Sequence, residues 1–140
     1  MWNTGYLGDL RLLEGVQRRW TKEITGFRDL SYSERLSTLK LYSIKGRLLR
    51  ADLIMVYKIL HGLCPDLDHL FVRNINARTR GHSYKLAIPR WDTEVRGRFF
   101  SIRVLSVWND LPEHVVSAVS VVAFKRQLDL SLGNVLYEFV

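Results

Sequence analysis

The stretch Leu48-Leu49-Arg50-Ala51-Asp52-Leu53-Ile54-Met55-Val56-Tyr57-Lys58-Ile59-Leu60 carries the clearest helical pattern in the chain. Apolar residues recur there at intervals of four and three residues, and the row continues to Leu63. The second half of the stretch holds one charge, at Lys58, so the helix is apolar on almost every side, as buried central helices are. Gly62 and Pro65 follow in the order that ends a helix. The pattern predicts a central, buried helix, since two heptads are too few for a free coiled coil.

A first helix is predicted from Asp9, a suitable N-cap residue, to just before Gly26. Its apolar residues follow helical spacing at Leu13, Val16, Trp20 and Ile24. Basic residues lie on its other faces, at Arg18, Arg19 and Lys22.

Later helices are predicted from caps and from apolar spacing. Ser31-Tyr32-Ser33-Glu34 has the form of a capping box, so a short helix should follow it through Leu39. The segment 66–71 is expected to add one helical turn. Helical spacing returns at Phe100, Val104, Trp108 and Leu111, before Pro112 interrupts it. Ser120 is expected to cap a last helix carrying Val121, Phe124 and Leu128.

The segment 73–98 loses helical periodicity and contains the turn-forming residues Gly81, Pro89 and Gly97. Apolar residues alternate with others from Tyr84 to Ile88, which favours a short strand or one arm of a β-hairpin. We therefore predict a mainly α protein, a single small domain over residues 1–140 with about five to six helices. The basic insert at 73–98 is expected to be irregular or a short β-hairpin, and no pattern places the tail 130–140.

Composition limits the class of protein. The 140 residues are 47% hydrophobic and 25% charged, as in globular proteins and unlike disordered chains. Cys64 is the only cysteine, which excludes an internal disulfide and favours a reducing compartment. The longest stretch without a charged or histidine side chain, Val115 to Phe124, is ten residues, about half of a bilayer span. Met1 to Gly5 lacks the features of a signal peptide, so we expect a soluble intracellular protein without membrane contact.

The net charge of +7 is concentrated in the segment from Arg73 to Arg103. That segment contains eight basic residues and two acidic ones, Asp92 and Glu94, which gives it a net charge of +6. The eight are Arg73, Arg78, Arg80, Lys85, Arg90, Arg96, Arg98 and Arg103. Seven are arginine, which binds phosphate bidentately, and aromatic residues are interleaved with them. This pattern favours nucleic-acid binding, although a solvated basic surface is the open alternative.

The patterns of several catalytic and metal sites are missing from the sequence. No two acidic residues are adjacent, whereas polymerases hold two metal ions on paired carboxylates. Gly81-His82-Ser83-Tyr84 begins like the nucleophile elbow of a hydrolase, but Lys85 replaces its second glycine. Cys64, His69 and His82 do not have the spacing of zinc ligands. We expect no catalytic residues, no metal ion, no cofactor and no small-molecule substrate.

Five stretches of the chain, in the same order and spacing, resemble the C-terminal region of reverse transcriptases from non-LTR (LINE-type) retrotransposons. The resemblance is to jockey-like and chicken-repeat-like elements, and covers the chain from about Trp2 to Asp129. The stretches are Leu13–Lys22, Leu30–Leu36, Leu48–Gly62, Thr79–Leu86 and Phe99–Lys125. Gly15 and Trp20 depart from the pattern, which has lysine and a small residue at those positions.

The resemblance implies the end of a helical thumb and the helical segment that follows it, downstream of the catalytic acidic residues. Such a part grips a primer–template duplex or the element's own RNA and performs no catalysis. The basic positions of the family fall on Arg18, Arg19, Lys22, Arg47, Arg50, Arg80 and Lys85. Arg78 of the basic segment joins them as a predicted phosphate contact. His82 is expected to stabilise the turn at Gly81 in preference to binding phosphate.

The resemblance therefore implies a non-catalytic fragment of an RNA-directed DNA polymerase, which we expect to bind the backbone of RNA or of an RNA–DNA duplex. The missing polymerase domains of the parent enzyme are the other expected partner. A helical protein-interaction fragment, or an inactive relic, is the alternative. A hydrolase would require His82, Ser83 and an acidic residue to converge in space.

Overall fold

The computed structural model describes residues 6–75 and 80–139, and this part of the chain is mainly helical. It contains the α-helices α1 (Leu7–Glu23), α2 (Tyr32–Leu39), α3 (Ile44–Leu60), α4 (Glu94–Gly97), α5 (Phe100–Arg103), α6 (Leu105–Asn109), α7 (Glu113–Val116) and α8 (Val121–Leu132). Two 3-10 helices span Pro65–Leu70 and Gly133–Leu136. The predicted mainly α class is confirmed. The helices are divided more finely than expected, because the one predicted from Phe100 to Leu111 is interrupted at Val104.

The chain divides into two compact units, each described here by itself. Unit 1 comprises Met1–Arg50 and Leu132–Val140, and unit 2 comprises Ala51–Ser131. The expected single domain over residues 1–140 stays a prediction.

In unit 1, helix α1 buries a face different from its apolar row. Leu10, Glu14 and Thr21 are buried, whereas Val16 and Trp20 are each 59% exposed. The apolar row therefore predicted the helix but does not form its buried face. The helix also begins at Leu7, with Tyr6 at the N-cap position, so the prediction of Asp9 as the N-cap was wrong. Asp9 lies in the first turn, where a carboxylate interacts favourably with the helix dipole.

Helix α2 begins as its sequence predicts. The Ser31 hydroxyl accepts from Glu34 N–H, and the Glu34 carboxylate accepts from Ser31 N–H at 2.7 Å, which completes the capping box. Hydrogen bonding to the Glu34 carboxylate by the Ser31 side chain, followed by its backbone N–H, lowers the pKa of that carboxyl. The helix ends at Leu39, and the C-cap residue Lys40 lies in the left-handed region with φ 53°.

The tail that the sequence left unplaced packs onto the start of α3 within unit 1. Ser43 N–H donates to the carbonyl oxygen of Leu136 at 2.8 Å, and the Ser43 hydroxyl accepts from Gly46 N–H at 2.9 Å. Leu136 is buried. Gly46 passes so close that an added Cβ would lie 2.3 Å from the Leu136 oxygen, so only glycine fits there. The tail is thus a structural part of unit 1.

Unit 2 has an apolar and aromatic core. Trp108, Phe124 and Leu53 have no exposed surface, and the Tyr57 ring stacks on Phe124 with 4.3 Å between ring centroids. The Tyr57 hydroxyl donates to the Ala118 carbonyl oxygen at 2.5 Å. The buried centre of α3 is therefore confirmed, and Ser120 caps α8 as predicted, accepting from Ala123 N–H at 3.1 Å.

The segment 73–98 holds one isolated antiparallel bridge, between Arg73 and Leu86, and no β-strand in its described residues. Two backbone hydrogen bonds of 2.8 Å flank it, from Asn74 N–H to Lys85 O and from Ala87 N–H to Val72 O. The turn predicted at 66–71 is the 3-10 helix Pro65–Leu70.

Candidate nucleic-acid interface

The predicted phosphate-binding residues fall into two groups. Unit 1 carries Arg18, Arg19, Lys22, Arg47 and Arg50, and unit 2 carries Arg80 and Lys85. Arg78 lies outside the described residues. By sequence, unit 1 has ten basic and six acidic residues, a net charge of +4, and unit 2 has eleven basic and eight acidic residues, a net charge of +3.

Helix α1 presents a row of exposed cations, which we name the α1 cation row: Arg11, Arg18, Arg19 and Lys22. Arg11, Arg18 and Lys22 are spaced by seven and four residues, which places them on one helix face, roughly 16 Å from end to end. In the described part of the chain, no hydrogen bond or ion pair engages the side chains of Arg11, Arg19 or Lys22. Glu14, the acidic residue in the middle of α1, is buried and forms no ion pair with the row within the described residues.

Buried polar contacts hold the row in place. The Tyr32 hydroxyl donates to the Glu14 carboxylate, whose other oxygen accepts from Ile44 N–H at 2.8 Å. Burial, and then this bond to Glu14, raise the pKa of the Tyr32 hydroxyl. Arg18 lies over the Tyr32 ring, with its guanidinium carbon 4.8 Å from the centroid, within cation–π range.

Arg35 is buried and braces the end of α1. Its guanidinium donates to Leu30 O at 2.6 Å, to the Thr21 hydroxyl at 3.2 Å and to Arg18 O at 3.4 Å. Because the charge is 5% exposed and surrounded by these acceptors, Arg35 acts as a structural cation of unit 1.

Arg47 and Arg50 are partly engaged. Arg47 is exposed, and one of its nitrogens donates to the Gln17 side-chain oxygen and to Tyr42 O. Arg50 is half-buried, with its guanidinium carbon 5.9 Å from the Tyr42 ring centroid. A guanidinium has five N–H donors, so Arg47 still offers donors to a phosphate.

In the loop 80–86 of unit 2, the Lys85 side chain folds back onto the turn at Gly81. Gly81 has φ 138°, a backbone conformation that residues with a Cβ atom rarely adopt. The Lys85 side chain lies against this glycine. The Lys85 ammonium donates to the carbonyl oxygen of Arg80. Arg80 itself is exposed, which makes it the more available of the two cations.

His82 is a structural residue of this loop. It is 6% exposed, its Nε2 lies 2.9 Å from Trp108 O, and its Nδ1 accepts from Tyr84 N–H at 3.1 Å. These partners require the neutral tautomer with hydrogen on Nε2. Trp108 Nε1–H in turn donates to Tyr84 O at 3.0 Å. The arrangement favours the predicted turn role over phosphate binding.

Asn109 and Glu113, which follow Trp108 in the sequence, form further hydrogen bonds with the loop 80–86. The Asn109 side chain accepts from Leu86 N–H at 2.8 Å and donates to Leu86 O at 2.9 Å. The Glu113 carboxylate accepts from Ser83 N–H at 2.6 Å and from the Ser83 hydroxyl at 2.7 Å. The Ser83 hydroxyl, followed by its backbone N–H, lowers the pKa of the Glu113 carboxyl. Since both His82 nitrogens are occupied by backbone groups, His82 is not placed as a base for Ser83.

Three of the seven arginines between Arg73 and Arg103 make local side-chain contacts. Arg103 forms a bidentate ion pair with Asp52, at 2.9–3.1 Å, and both side chains are largely buried. Arg98 pairs with Glu94 at 3.1 Å, and Arg73 donates to Ser83 O at 2.8 Å. Arg80, Arg90 and Arg96 are exposed, so the segment also offers cations to a ligand beside the α1 cation row.

Of the four aromatic residues in or next to the basic segment, Phe100 is in the core, as expected. Tyr84 is half-buried and stacks on His61 with 4.8 Å between centroids. Trp91 and Phe99 are 43% and 58% exposed, so they are open to a stacked base.

No protein-family model, curated protein or solved structure matches the chain. Among residues 6–75 and 80–139, no three His, Cys, Asp or Glu side chains are grouped to hold a metal ion. No helix in these two ranges is both long and apolar enough to span a bilayer.

Proposed function

We propose that the chain is a non-catalytic C-terminal fragment of a non-LTR retrotransposon RNA-directed DNA polymerase, and that it binds the backbone of RNA or of an RNA–DNA duplex. The family origin rests on the five resembling stretches. The α1 cation row carries the binding proposal, because it presents four exposed cations on one rigid helix.

Binding would proceed by release of counterions from the nucleic acid. Each phosphate neutralised by a cation contributes a slope of about −0.9 to the dependence of log affinity on log salt for a duplex, and about −0.7 for a single strand. Side chains that contact phosphates position the strand without reading its sequence. Affinity is therefore expected to fall steeply with salt and to differ little between sequences.

The test is a salt titration of a labelled RNA–DNA duplex and a labelled single strand with two matched variants. The variant R11Q/R19Q/K22Q removes three cations of the row, and R28Q/K40Q/R126Q removes three other exposed cations with the same change in net charge. The first is expected to reduce the duplex slope by about 2 to 3, and the second by less than 1. Equal losses would contradict a localised site, and no binding by the folded wild-type chain at low salt would refute the function.

The predicted contacts of the loop are tested in the same assay. Replacing Arg78, Arg80 and Lys85 together by Ala is expected to weaken binding to all sequences alike. A loss confined to one sequence would indicate that the loop reads bases.

A helical protein-interaction fragment is the second candidate, and one observation favours it. Helix α1 exposes Leu12, Leu13, Val16 and Trp20, between 54% and 74% of each side chain. Contiguous exposed apolar residues mark interaction surfaces, here for the missing polymerase domains or a second copy of the chain. Oligomers that persist at high salt and are lost in L13S/W20S, without binding of nucleic acid, would support this candidate over the first.

A further inference from the structure

The tail of unit 1 helps to form a cavity that the backbone-binding proposal does not use. Its volume is about 270 Å³. It is lined by Arg18, Tyr32, Ser33, Tyr137, Glu138 and Phe139. Three of these residues are aromatic, one is a cation and one is a carboxylate. No sequence pattern predicted that the tail would lie beside α1.

Both walls of the cavity are fixed by other contacts. On the tail side, the Ser43 hydroxyl lies 3.0 Å from Glu138 O, and the Tyr137 ring packs edge-on against Tyr42 with 5.3 Å between centroids. On the other side, the Tyr32 hydroxyl is held between Glu14 and the Gln17 amide, which donates to it at 3.2 Å. A preformed cavity loses little conformational freedom when a ligand binds.

The polar groups of the cavity match the edge of one nucleobase. Guanine presents the acceptors O6 and N7 next to the donors N1–H and N2–H. An arginine binds O6 and N7 bidentately, and a carboxylate accepts two hydrogen bonds side by side. Adenine places an amino group where guanine has O6, so it would direct a donor at the guanidinium of Arg18.

Aromatic rings supply the non-specific part of base binding. Unpaired bases stack on tyrosine and phenylalanine rings, and Tyr137 and Phe139 are each half-buried with part of their surface at the cavity. The guanidinium carbon of Arg18 lies 4.8 Å from the Tyr32 ring centroid, and no hydrogen bond or ion pair within the described residues engages its N–H groups.

We propose that this cavity binds a single unpaired guanine base of a strand whose backbone contacts the α1 cation row, with Arg18 on O6 and N7 and Glu138 on N1–H and N2–H. The proposal rests on the proposed function, because Arg18 belongs both to the row and to the cavity. It adds a base preference at one position to binding that is otherwise independent of sequence.

The experiment uses the full chain and two ten-nucleotide RNAs, oligouridylate with one central guanosine or with one central adenosine. The guanosine strand is expected to bind about tenfold more tightly than the adenosine strand. In E138Q this ratio is expected to fall to about one, with little change in affinity for the adenosine strand. The control E23Q removes another exposed carboxylate of unit 1 and should keep the ratio.

Two variants separate this site from the cation row. Y137L should weaken both strands by removing a stacking surface, whereas R11Q/R19Q/K22Q should weaken both and keep the guanosine preference. Equal affinity for the two strands, with the expected salt dependence, would overturn the guanine site and leave backbone binding intact. A preference that survives E138Q would likewise overturn it, and no binding of either strand by the folded chain at low salt would overturn both proposals.

Discussion

Trp108 of unit 2 and Arg35 of unit 1 are both almost fully buried, but their surroundings differ. Trp108 is packed in T-shaped contact with His82 and at 6.0 Å from the Phe124 ring, in a core of aromatic and aliphatic side chains. Arg35 is surrounded by oxygens and by the Tyr32 ring, in a unit that also buries Glu14, Thr21 and Ser43. Unit 2 thus has a mainly apolar core, and unit 1 a mixed one in which Leu36 and Leu136 are buried beside these polar groups.

The difference determines how each unit responds to substitution. Apolar burial is non-directional and scales with the area removed from water. A buried polar group contributes only when its partner is in place, and its loss leaves the partner unsatisfied. Substitutions in the core of unit 2 should therefore change stability according to the side-chain volume they remove. Substitutions in the core of unit 1 should change it according to whether both partners of a hydrogen-bonded pair are kept.

The largest effect is expected in unit 2. Trp108→Ala removes a completely buried ring and should lower the free energy of unfolding by about 3–5 kcal/mol. The control Trp20→Ala, at a residue that is 59% exposed, should change it by less than about 0.5 kcal/mol. Urea denaturation measures both, and equal effects would contradict the description of the core.

The pairing in unit 1 is tested by a double-mutant cycle on Glu14 and Tyr32. Glu14→Ala leaves the Tyr32 hydroxyl and Ile44 N–H without their acceptor and should cost about 1–3 kcal/mol. Adding Tyr32→Phe removes one unsatisfied group, so the double mutant should lose less than the sum of the single mutants, by at least about 0.5 kcal/mol. Additive losses would show that the polar core is not a coupled network.

Two glycine substitutions give opposite signs within the helices of unit 1. Gly46→Ala places a methyl group against the Leu136 backbone and should destabilise by about 1–3 kcal/mol. Gly15→Ala lies in a helix with nothing within 4 Å of the new Cβ, and should stabilise by about 0.5–1 kcal/mol. Thermal unfolding of both variants checks the signs, and a neutral Gly46→Ala would mean that the tail does not dock there.

The smallest expected effect is on the pH dependence of stability, to which one exposed carboxylate in each unit contributes. Glu34 and Glu113 both have a pKa below the ordinary value of 4.5, because serine groups hydrogen-bond their ionised forms. Their contribution to stability is complete above pH 4.5 and is lost as the pH falls through the lowered pKa. Glu34→Gln and Glu113→Gln should each make unfolding less dependent on pH below 4.5, as followed by circular dichroism. If the loss of stability at acid pH is the same in both variants as in the wild type, these contacts are not its source.

The parts of the fold that the sequence predicts are those decided within a few residues. The capping box at Ser31, the cap at Ser120 and the end of α3 at Gly62 each depend on local spacing. The buried face of α1 could not be predicted, because Glu14 is buried by Tyr32, a partner 18 residues away, while the more apolar Trp20 is exposed.

The residues of the candidate site likewise differ in whether they could be predicted from the sequence. Arg11 could have been identified from sequence, since its spacing of seven and eleven residues from Arg18 and Lys22 places all three on one helix face. The role of Glu138 could not, because the tail has no periodicity and its position depends on Ser43, 95 residues earlier. The net charge of the segment 73–98 does not show which of its cations have partners, as Arg73 and Arg98 do.

The hydrogen bond between Ser43 and Leu136 joins residues 93 positions apart, and this separation affects the order in which the protein forms during synthesis. At about 5–20 residues per second, a ribosome needs roughly 5 to 20 s to make the intervening chain. All of unit 2, a continuous segment, is synthesised within that interval, while the Ser43 N–H still lacks its acceptor. The residues of unit 1 up to Arg50 therefore wait for the tail that completes their unit, and during that wait they are open to chaperones and proteases.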